Sequence, residues 1–180
     1  QICSGEDPGH GARVGTYCRL VALRLGIGAE RAHEIGLASQ LHDLGKLAVA
    51  DSLLLKPGPL TPAERRAVER HAELGYRALA SSSRPLLQLA ALIALTHHER
   101  YDGSGYPRGL ARDEIPIEGR IAAVADVLDA LVSARPYRPA LPVEEASALV
   151  RQHAGTSFDP AVARAFLASL EETGPILHLR

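Results

Sequence analysis

The sequence predicts an all-α fold, a single bundle of about seven helices, and three observations support this prediction. Ala and Leu supply 29 and 27 of the 180 residues, and both residue types favour helix. Aromatic residues make up only 4% of the chain and Trp is absent, which disfavours a large all-β fold because strands draw on aromatic and β-branched side chains. Apolar residues recur at the three- and four-residue spacing of a helix along most of the chain. Since 180 residues can bury one substantial core, we expect one domain over residues 1–180.

The N-terminal half is predicted to hold three helices, at about residues 11–25, 30–42 and 61–79. The first two carry apolar residues on one face and are separated by Gly26 and Gly28. Residues 46–60 contain a Pro-Gly-Pro sequence and are predicted to be a connecting loop. The third helix is predicted to begin after Thr61, because Thr at the N-cap is followed by Pro at the first helical position and Glu at the third.

The C-terminal half is predicted to hold four helices, at about residues 86–98, 119–132, 142–153 and 159–170. A loop rich in Gly and Pro is predicted over residues 101–118. The helix that follows it is apolar nearly all round, so we expect it to be central and buried. The last helix opens with Asp159 and Pro160, a favoured N-cap residue followed by a favoured first residue. Residues 174–180 are predicted to be a loose tail.

Composition excludes several classes of protein. The net charge is −1 and the pI is about 6.8, so no general basic field is present to hold DNA or an anionic membrane. Two cysteines do not indicate a disulfide framework, and the longest apolar run, residues 86–95, is too short to span a bilayer. The chain does not begin with Met. We expect a cytoplasmic domain excised from a longer signalling protein, with a sensory or receiver domain upstream.

Polar residues interrupt several of the predicted apolar helices. Asp126 lies in the middle of the fifth predicted helix, where a carboxylate is costly unless it is paired or binds a metal ion. The alternative is a helix-edge Asp bonded to a backbone amide or an Arg. His42 and Asp43 end the second predicted helix, and they could reach one metal ion while the second carboxylate oxygen reaches another. For these residues, and for the His pair at the end of the fourth predicted helix, the alternative is stabilisation of a helix C-terminus by His and Lys.

The full set of such residues indicates a metal centre more strongly than any member does. It consists of five histidines and three carboxylates, namely His10, His42, His71, His97, His98, Glu6, Asp43 and Asp126. Mixed His and carboxylate ligation suits Fe, Mn, Ni or Zn. Eight ligands exceed the need of one ion, so two or three ions are predicted, and their remaining positive charge suits an anionic substrate such as a phosphodiester. His33, His153 and His178 fit no such pattern and are predicted to be surface residues.

Four motifs, in order, resemble a known family. The sequence His42-Asp43-Leu44-Gly45-Lys46 resembles the signature of HD metal-dependent phosphohydrolases. Residues 97–107, which end in Gly105-Tyr106-Pro107, resemble the extended motif of the HD-GYP subgroup, and we call residues 101–111 the GYP loop. Residues 125–138 and 155–160 fit the same subgroup. The resemblance covers about residues 6–167.

The resemblance implies a bacterial phosphodiesterase that opens cyclic di-GMP, with an all-α HD-type bundle around a central metal site. The implied metal ligands are His10, His42, Asp43, His71, His97, His98 and Asp126, with Asp43 as the bridging carboxylate and Glu6 as a ligand of a third ion. Fe or Mn is implied, with Ni or Zn as alternatives. Asp43 and Lys46 are the implied catalytic residues, and Lys46, Tyr106, Arg135 and Arg138 are the implied substrate contacts. In the mechanism we hypothesise, a hydroxide held between the ions attacks the phosphorus and yields linear pGpG, which is cut further to GMP.

Two other functions are compatible with the same motifs. One is a phosphohydrolase for another nucleotide, such as cyclic GMP-AMP. The other is a non-catalytic signalling module that binds a diguanylate cyclase (GGDEF) domain through the GYP loop. A complete set of metal ligands argues against the second, because an adaptor has no need of it.

Overall fold

The computed structural model describes residues 9–134 and 139–173, and it confirms the all-α prediction. The described residues contain no β-strand, only two isolated bridges, Asp102 with Ala111 and Ala154 with Phe158. The α-helices are α1 His10–Arg24, α2 Ala29–Ser39, α3 Asp51–Leu54, α4 Pro62–Glu69, α5 His71–Ala80, α6 Pro85–Thr96, α7 Ile117–Val132, α8 Val143–Gln152 and α9 Pro160–Thr173. Short 3-10 helices cover Leu44–Ala48 and Arg112–Glu114. None of the helices in these residues has both the length and the hydropathy needed to cross a bilayer.

The second predicted helix is shorter than expected, and the segment after it is more ordered than expected. Helix α2 ends at Ser39, and His42 and Asp43 lie in the turn that leads into the 3-10 helix Leu44–Ala48. Close packing explains the change of direction. A Cβ atom on Gly45 would overlap the carbonyl oxygen of His71, so only Gly lets this turn approach α5 so closely. Helix α3 then occupies part of the predicted 46–60 loop.

The third predicted helix is two helices, because it is interrupted at Arg70, which separates α4 from α5. The predicted start is confirmed. The Thr61 hydroxyl accepts a hydrogen bond from the amide of Glu64, and the Glu64 carboxylate accepts one from the amide of Thr61. No Gly or Pro marks the interruption, and α5 packs against α6 and the 3-10 helix Leu44–Ala48.

Helix α7 is the central helix of the bundle, as its apolar sequence predicts. It contacts α1, α6, α8 and α9, and its residues 121–125 are all buried. It begins at Ile117, two residues earlier than predicted, and α6 ends at Thr96, two residues earlier than predicted. Asp159 caps α9 by accepting a hydrogen bond from the amide of Ala161 at 2.7 Å. The predicted tail at 174–180 lies outside the described residues.

This arrangement brings five separate segments to one place. The start of α1, the turn after α2, the start of α5, the turn after α6 and the middle of α7 each carry one or two of the predicted metal ligands. The apolar core packs around the same helices, with Tyr17 of α1 against Phe166 of α9 at 5.4 Å between ring centroids. Segments from five parts of the bundle therefore surround one group of polar side chains.

Candidate metal centre

Seven of the eight predicted metal ligands meet in one buried centre, and the eighth, Glu6, lies outside the described residues. Two groups of side chains have possible ligand atoms within 4.8 Å of one another. They are His10, His42 and Asp43 in one group, and Asp43, His71, His97 and His98 in the other. Asp43 belongs to both groups, which is the arrangement that a bridging carboxylate requires.

The two oxygens of Asp43 face different histidines. Its Oδ2 lies 3.4 Å from Nε2 of His42, whereas its Oδ1 lies 3.3 Å from Nε2 of His71 and 3.7 Å from Nε2 of His97. One carboxylate thus stands between two sets of imidazoles. A helix end stabilised only by its dipole would not produce this convergence.

Asp126 completes the first group from the middle of α7. Its Oδ1 lies 3.3 Å from Nε2 of His10 and 3.7 Å from Nε2 of His42. Its neighbours are therefore imidazoles, whereas the alternative for this residue was a backbone amide or an Arg. The first group then offers two imidazoles and two carboxylates, and the second offers three imidazoles and one carboxylate.

The outer ring nitrogens of the histidines are fixed by hydrogen bonds. Nδ1 of His42 donates to the carbonyl oxygen of Ser39 at 2.7 Å, and Nδ1 of His71 donates to that of Val68 at 2.7 Å. Nδ1 of His97 donates to the carbonyl oxygen of Ala94 at 3.0 Å. A carbonyl oxygen can only accept, so Nδ1 carries the hydrogen in each ring. In the neutral rings the lone pair of Nε2 is then directed to the centre, as in metal-binding histidines.

The inner atoms fit divalent metal ions. Among the described residues, Nε2 of His10, His42 and His97 and Oδ1 of Asp43 are buried without a hydrogen-bond partner. Buried polar atoms are normally satisfied, and four at one point indicate a missing partner. The Nε2 atoms of His71 and His98 lie 3.1 Å apart, close to the ~3 Å that separates two nitrogens bound at right angles to one ion. Metal ions would satisfy all of these atoms.

The pKa shifts of the histidines differ between the two groups. Burial raises the pKa of Asp43, but the charge of His42 opposes this and, with the close approach of the His42 and His97 imidazoles, holds the pKa well below its usual range. Burial and the charge of His97 lower the pKa of His71 to about 4 and that of His98 well below its usual value. Burial also disfavours a charge on His10, but the neighbouring carboxylates of Asp126 and Asp129 raise its pKa to about 9. At pH 7 these shifts favour the neutral imidazole for His71 and His98 and the protonated imidazole for His10, from which a metal ion would have to displace the proton.

A buried ion pair behind His10 was not predicted from the sequence. Asp129 accepts hydrogen bonds from Nε and Nη2 of Arg13 at 2.7 and 2.9 Å. Its Oδ2 also lies 2.7 Å from Nδ1 of His10. The available signal was spacing, since Asp129 follows Asp126 by three residues and Arg13 follows His10 by three, so each pair shares a helix face.

The GYP loop lies against the second group. The ring of Tyr106 stacks on that of His98, with centroids 4.7 Å apart and an interplanar angle of 29°. The amide of Tyr106 donates to the carbonyl oxygen of His98 at 3.2 Å. Buried Glu99, which was also missed, accepts hydrogen bonds from the amides of Arg108 at 2.7 Å and Leu110 at 3.0 Å. The loop is thus ordered and holds Tyr106 at the edge of the centre.

The remaining predicted residues divide between the centre and undescribed segments. Nζ of Lys46 lies 2.5 Å from Oδ2 of Asp43, at the edge of the centre. Arg135 and Arg138 lie outside the described residues. His33 is exposed, as predicted, and His178 lies outside the described residues. The prediction for His153 was wrong: its side chain is half-buried and lines a cavity that His97 and His98 also line. Packing of α8 against α7 places it there, and no local pattern around His153 reveals that contact.

Comparison with known proteins gives similarities over most of the chain. A family model described as an HD domain matches residues 8–162. A Thermotoga maritima protein named cyclic di-GMP phosphodiesterase is 49% identical over 90% of this chain, and a Vibrio cholerae protein named 3'3'-cGAMP-specific phosphodiesterase 2 is 42% identical over 94%. The chain spans 44% and 32% of the lengths of these two relatives. The structure of an HDG"Y"P protein from Bdellovibrio bacteriovorus matches 90% of this chain and 51% of its own, with a TM-score of 0.69 and 20% identity, and so supports the fold.

Proposed function

The chain belongs to the HD domain family, and we propose that it is a metal-dependent phosphodiesterase that hydrolyses cyclic di-GMP to linear pGpG and then to GMP. The observation that carries this proposal is the position of Asp43, whose two oxygens face separate sets of histidines. Such a carboxylate suits a pair of metal ions that clamp one phosphodiester. The relative named cyclic di-GMP phosphodiesterase, 49% identical to this chain, supports the choice of substrate.

In this proposal two groups of side chains hold two divalent ions. His10, His42, Asp43 and Asp126 would hold one ion, and Asp43, His71, His97 and His98 would hold the other. Glu6 would be a ligand of a third ion. We propose Fe or Mn, with Ni or Zn as alternatives, because His and carboxylate ligands accept all four. Divalent ions in such a centre lower the pKa of bound water from 15.7 to about 7, which supplies a nucleophile at neutral pH.

The chain's own residues would position the substrate and stabilise charge. The ammonium group of Lys46 lies beside Asp43, where it would face the non-bridging oxygens of a phosphate in the centre. Tyr106, stacked on His98, would cover the substrate on that side. Arg135 and Arg138 would contact the substrate phosphates, as the family resemblance implies.

Product analysis tests the proposed function directly. Anaerobically purified protein, loaded with Mn or Fe, is incubated with cyclic di-GMP and the products are separated by chromatography. We expect pGpG or GMP from the wild type and neither from Asp43→Ala, which loses the bridging group. A fully metal-loaded wild type that forms no product would contradict the proposal.

Cyclic GMP-AMP is the second candidate substrate, because a relative 42% identical over 94% of this chain is named a 3'3'-cGAMP-specific phosphodiesterase. Incubation with an equimolar mixture of both cyclic dinucleotides distinguishes the two candidates. We expect faster loss of cyclic di-GMP. A non-catalytic role, in which the GYP loop binds a diguanylate cyclase (GGDEF) domain, would be favoured only if neither dinucleotide is cleaved.

A further inference from the structure

A cavity of about 410 Å³ opens beside the metal centre, between the GYP loop, α7 and α8. Its lining includes polar and aromatic side chains, those of His97, His98 and Tyr106, and the apolar side chains of Val127, Leu149 and Phe158. The volume falls within the range of about 300–1,000 Å³ that is usual for small-molecule sites. Since His97 and His98 belong both to the cavity and to the metal centre, a ligand in the cavity would lie next to whatever the centre holds.

The walls of the cavity are mostly apolar and include two aromatic rings, those of Tyr106 and Phe158. Val127 is 38% exposed although it follows the half-buried Asp126 directly, and Leu131, one turn further along α7, also lines the cavity. The ring of Tyr106 is held by its stacking on His98, so it presents an ordered aromatic edge. A flat ring between aliphatic and aromatic walls gains most of its binding free energy from such contacts.

Two polar groups of the cavity have no role in the metal centre. The side chain of Arg100 is 44% exposed, but its Nε atom is buried and has no hydrogen-bond partner among the described residues; the Asp102 carboxylate oxygen with which it forms an ion pair is 3.7 Å away. The half-buried imidazole of His153 also lines the cavity. A donor of this kind at the wall of a cavity can bond to an acceptor supplied by water or by a ligand.

We propose that this cavity binds a purine base of the substrate, with a preference for guanine, while the adjoining phosphate lies at the metal centre. This inference rests on the proposed function, because it takes the substrate to be a guanine nucleotide. Guanine presents two acceptors, N7 and O6, on one edge, whereas adenine presents one acceptor and one donor there. Arg100 can only donate, so its guanidinium matches guanine and opposes the amino group of adenine.

Binding of GMP and of inorganic phosphate to the Zn-loaded protein, measured by titration calorimetry, tests the site. Both ligands offer a phosphate to the metal ions, but only GMP offers a base. We expect the wild type to bind GMP at least ~10-fold more tightly than phosphate, as base stacking would produce. Equal affinity for the two ligands would overturn the proposal, even if cyclic di-GMP is hydrolysed.

Substitutions that fill the cavity should remove only the contribution of the base to the affinity for GMP. In Val127→Trp and Leu149→Trp we expect GMP to bind roughly 10-fold more weakly, with phosphate affinity and bound zinc unchanged. Leu23→Trp, at an exposed Leu of α1, is the matched control and should bind GMP as the wild type does. Unchanged GMP affinity in both cavity variants would overturn the proposal.

Two further measurements locate the base and its selectivity. Nuclear Overhauser effects between H8 of bound GMP and the methyl groups of Val127 or Leu131 are expected in the wild type, and bound GMP without them would overturn the proposal even if a variant fails to fold. Arg100→Ala should reduce the preference for GMP over AMP by roughly 10-fold. Failure of the proposed function would appear separately, as tight GMP binding without turnover of cyclic di-GMP.

Discussion

Arg13 and Asp129 form a buried, two-point ion pair directly behind His10. The guanidinium contacts both carboxylate oxygens, at 2.7 and 2.9 Å, although the two residues are 116 positions apart in the sequence. The same carboxylate holds Nδ1 of His10 at 2.7 Å. The pair therefore connects α1 to α7 and orients a metal ligand at the same time.

Asp129→Asn should destabilise the protein and weaken one of the two metal sites. The amide leaves the Arg13 charge buried without a counter-charge, which costs about 3–5 kcal/mol. Urea unfolding of the metal-free protein measures this loss. In a separate metal analysis, the site that contains His10 should lose more of its bound metal than the site that contains His71. Glu73→Gln removes the partner of the exposed Arg77 and should cost less than ~1 kcal/mol. Equal losses in the two variants would contradict this account of the buried pair.

Metal binding should release protons at neutral pH. The pKa of His10 is raised to about 9, so its imidazole is largely protonated at pH 7 in the metal-free protein. A metal ion binds only the neutral ring, so the proton must leave, and metal affinity should rise as the pH rises towards 9. Calorimetry in two buffers of different ionisation enthalpy counts the protons. His10→Ala should release fewer protons on metal binding than the wild type does. If the variant released the same number of protons, His10 would not be their source.

The two carboxylates of the centre should differ in their effect on metal content. Asp43 faces both groups of histidines, whereas Asp126 faces only His10 and His42. We therefore expect Asp43→Asn to weaken both sites and Asp126→Asn to leave one ion bound. Metal content after dialysis, determined by mass spectrometry, distinguishes them. Identical stoichiometry in the two variants would contradict the bridging role of Asp43.

The residue types of the centre could be predicted from the sequence, but the local geometry could not. His42, Asp43, His97 and His98 were predicted at helix ends because polar residues there follow apolar runs. In the structure they lie in turns just beyond α2 and α6. Those helix ends depend on contacts between distant segments, such as Gly45 against His71, which no local pattern encodes.

The ion pair behind His10 shows the same limit. Arg13 and Asp129 each stand near a helix end, where charged residues are usually solvated, and only the packing of α1 against α7 makes them partners. The interruption between α4 and α5 at Arg70 likewise has no Gly or Pro that would predict it. The helix caps were predicted correctly, because the Thr61–Glu64 capping box and the Asp159 cap depend only on the neighbouring backbone.

Gly105→Ala should displace the GYP loop without removing metal. A Cβ atom at this position would lie 2.6 Å from the carbonyl oxygen of His98 and would overlap the amide nitrogen of Arg100. Relief of these contacts moves the backbone that holds Tyr106 against His98, at a cost of about 1–3 kcal/mol. We expect the KM for cyclic di-GMP to rise severalfold while metal content stays at the wild-type value.

Gly28→Ala is the matched control for this substitution. Gly28 has an ordinary φ of −55°, and nothing lies within 4 Å of the added Cβ atom. Gly28 is the N-cap of α2, where Ala is less favourable than Gly, but Ala also restricts the unfolded chain. These two effects oppose each other, so stability should change by less than about 1 kcal/mol. Steady-state kinetics and urea unfolding of both variants make the comparison. If Gly105→Ala matched Gly28→Ala in KM and stability, the close contact of the GYP loop with the end of α6 would not position Tyr106, and the loop would have to act on the substrate through other residues.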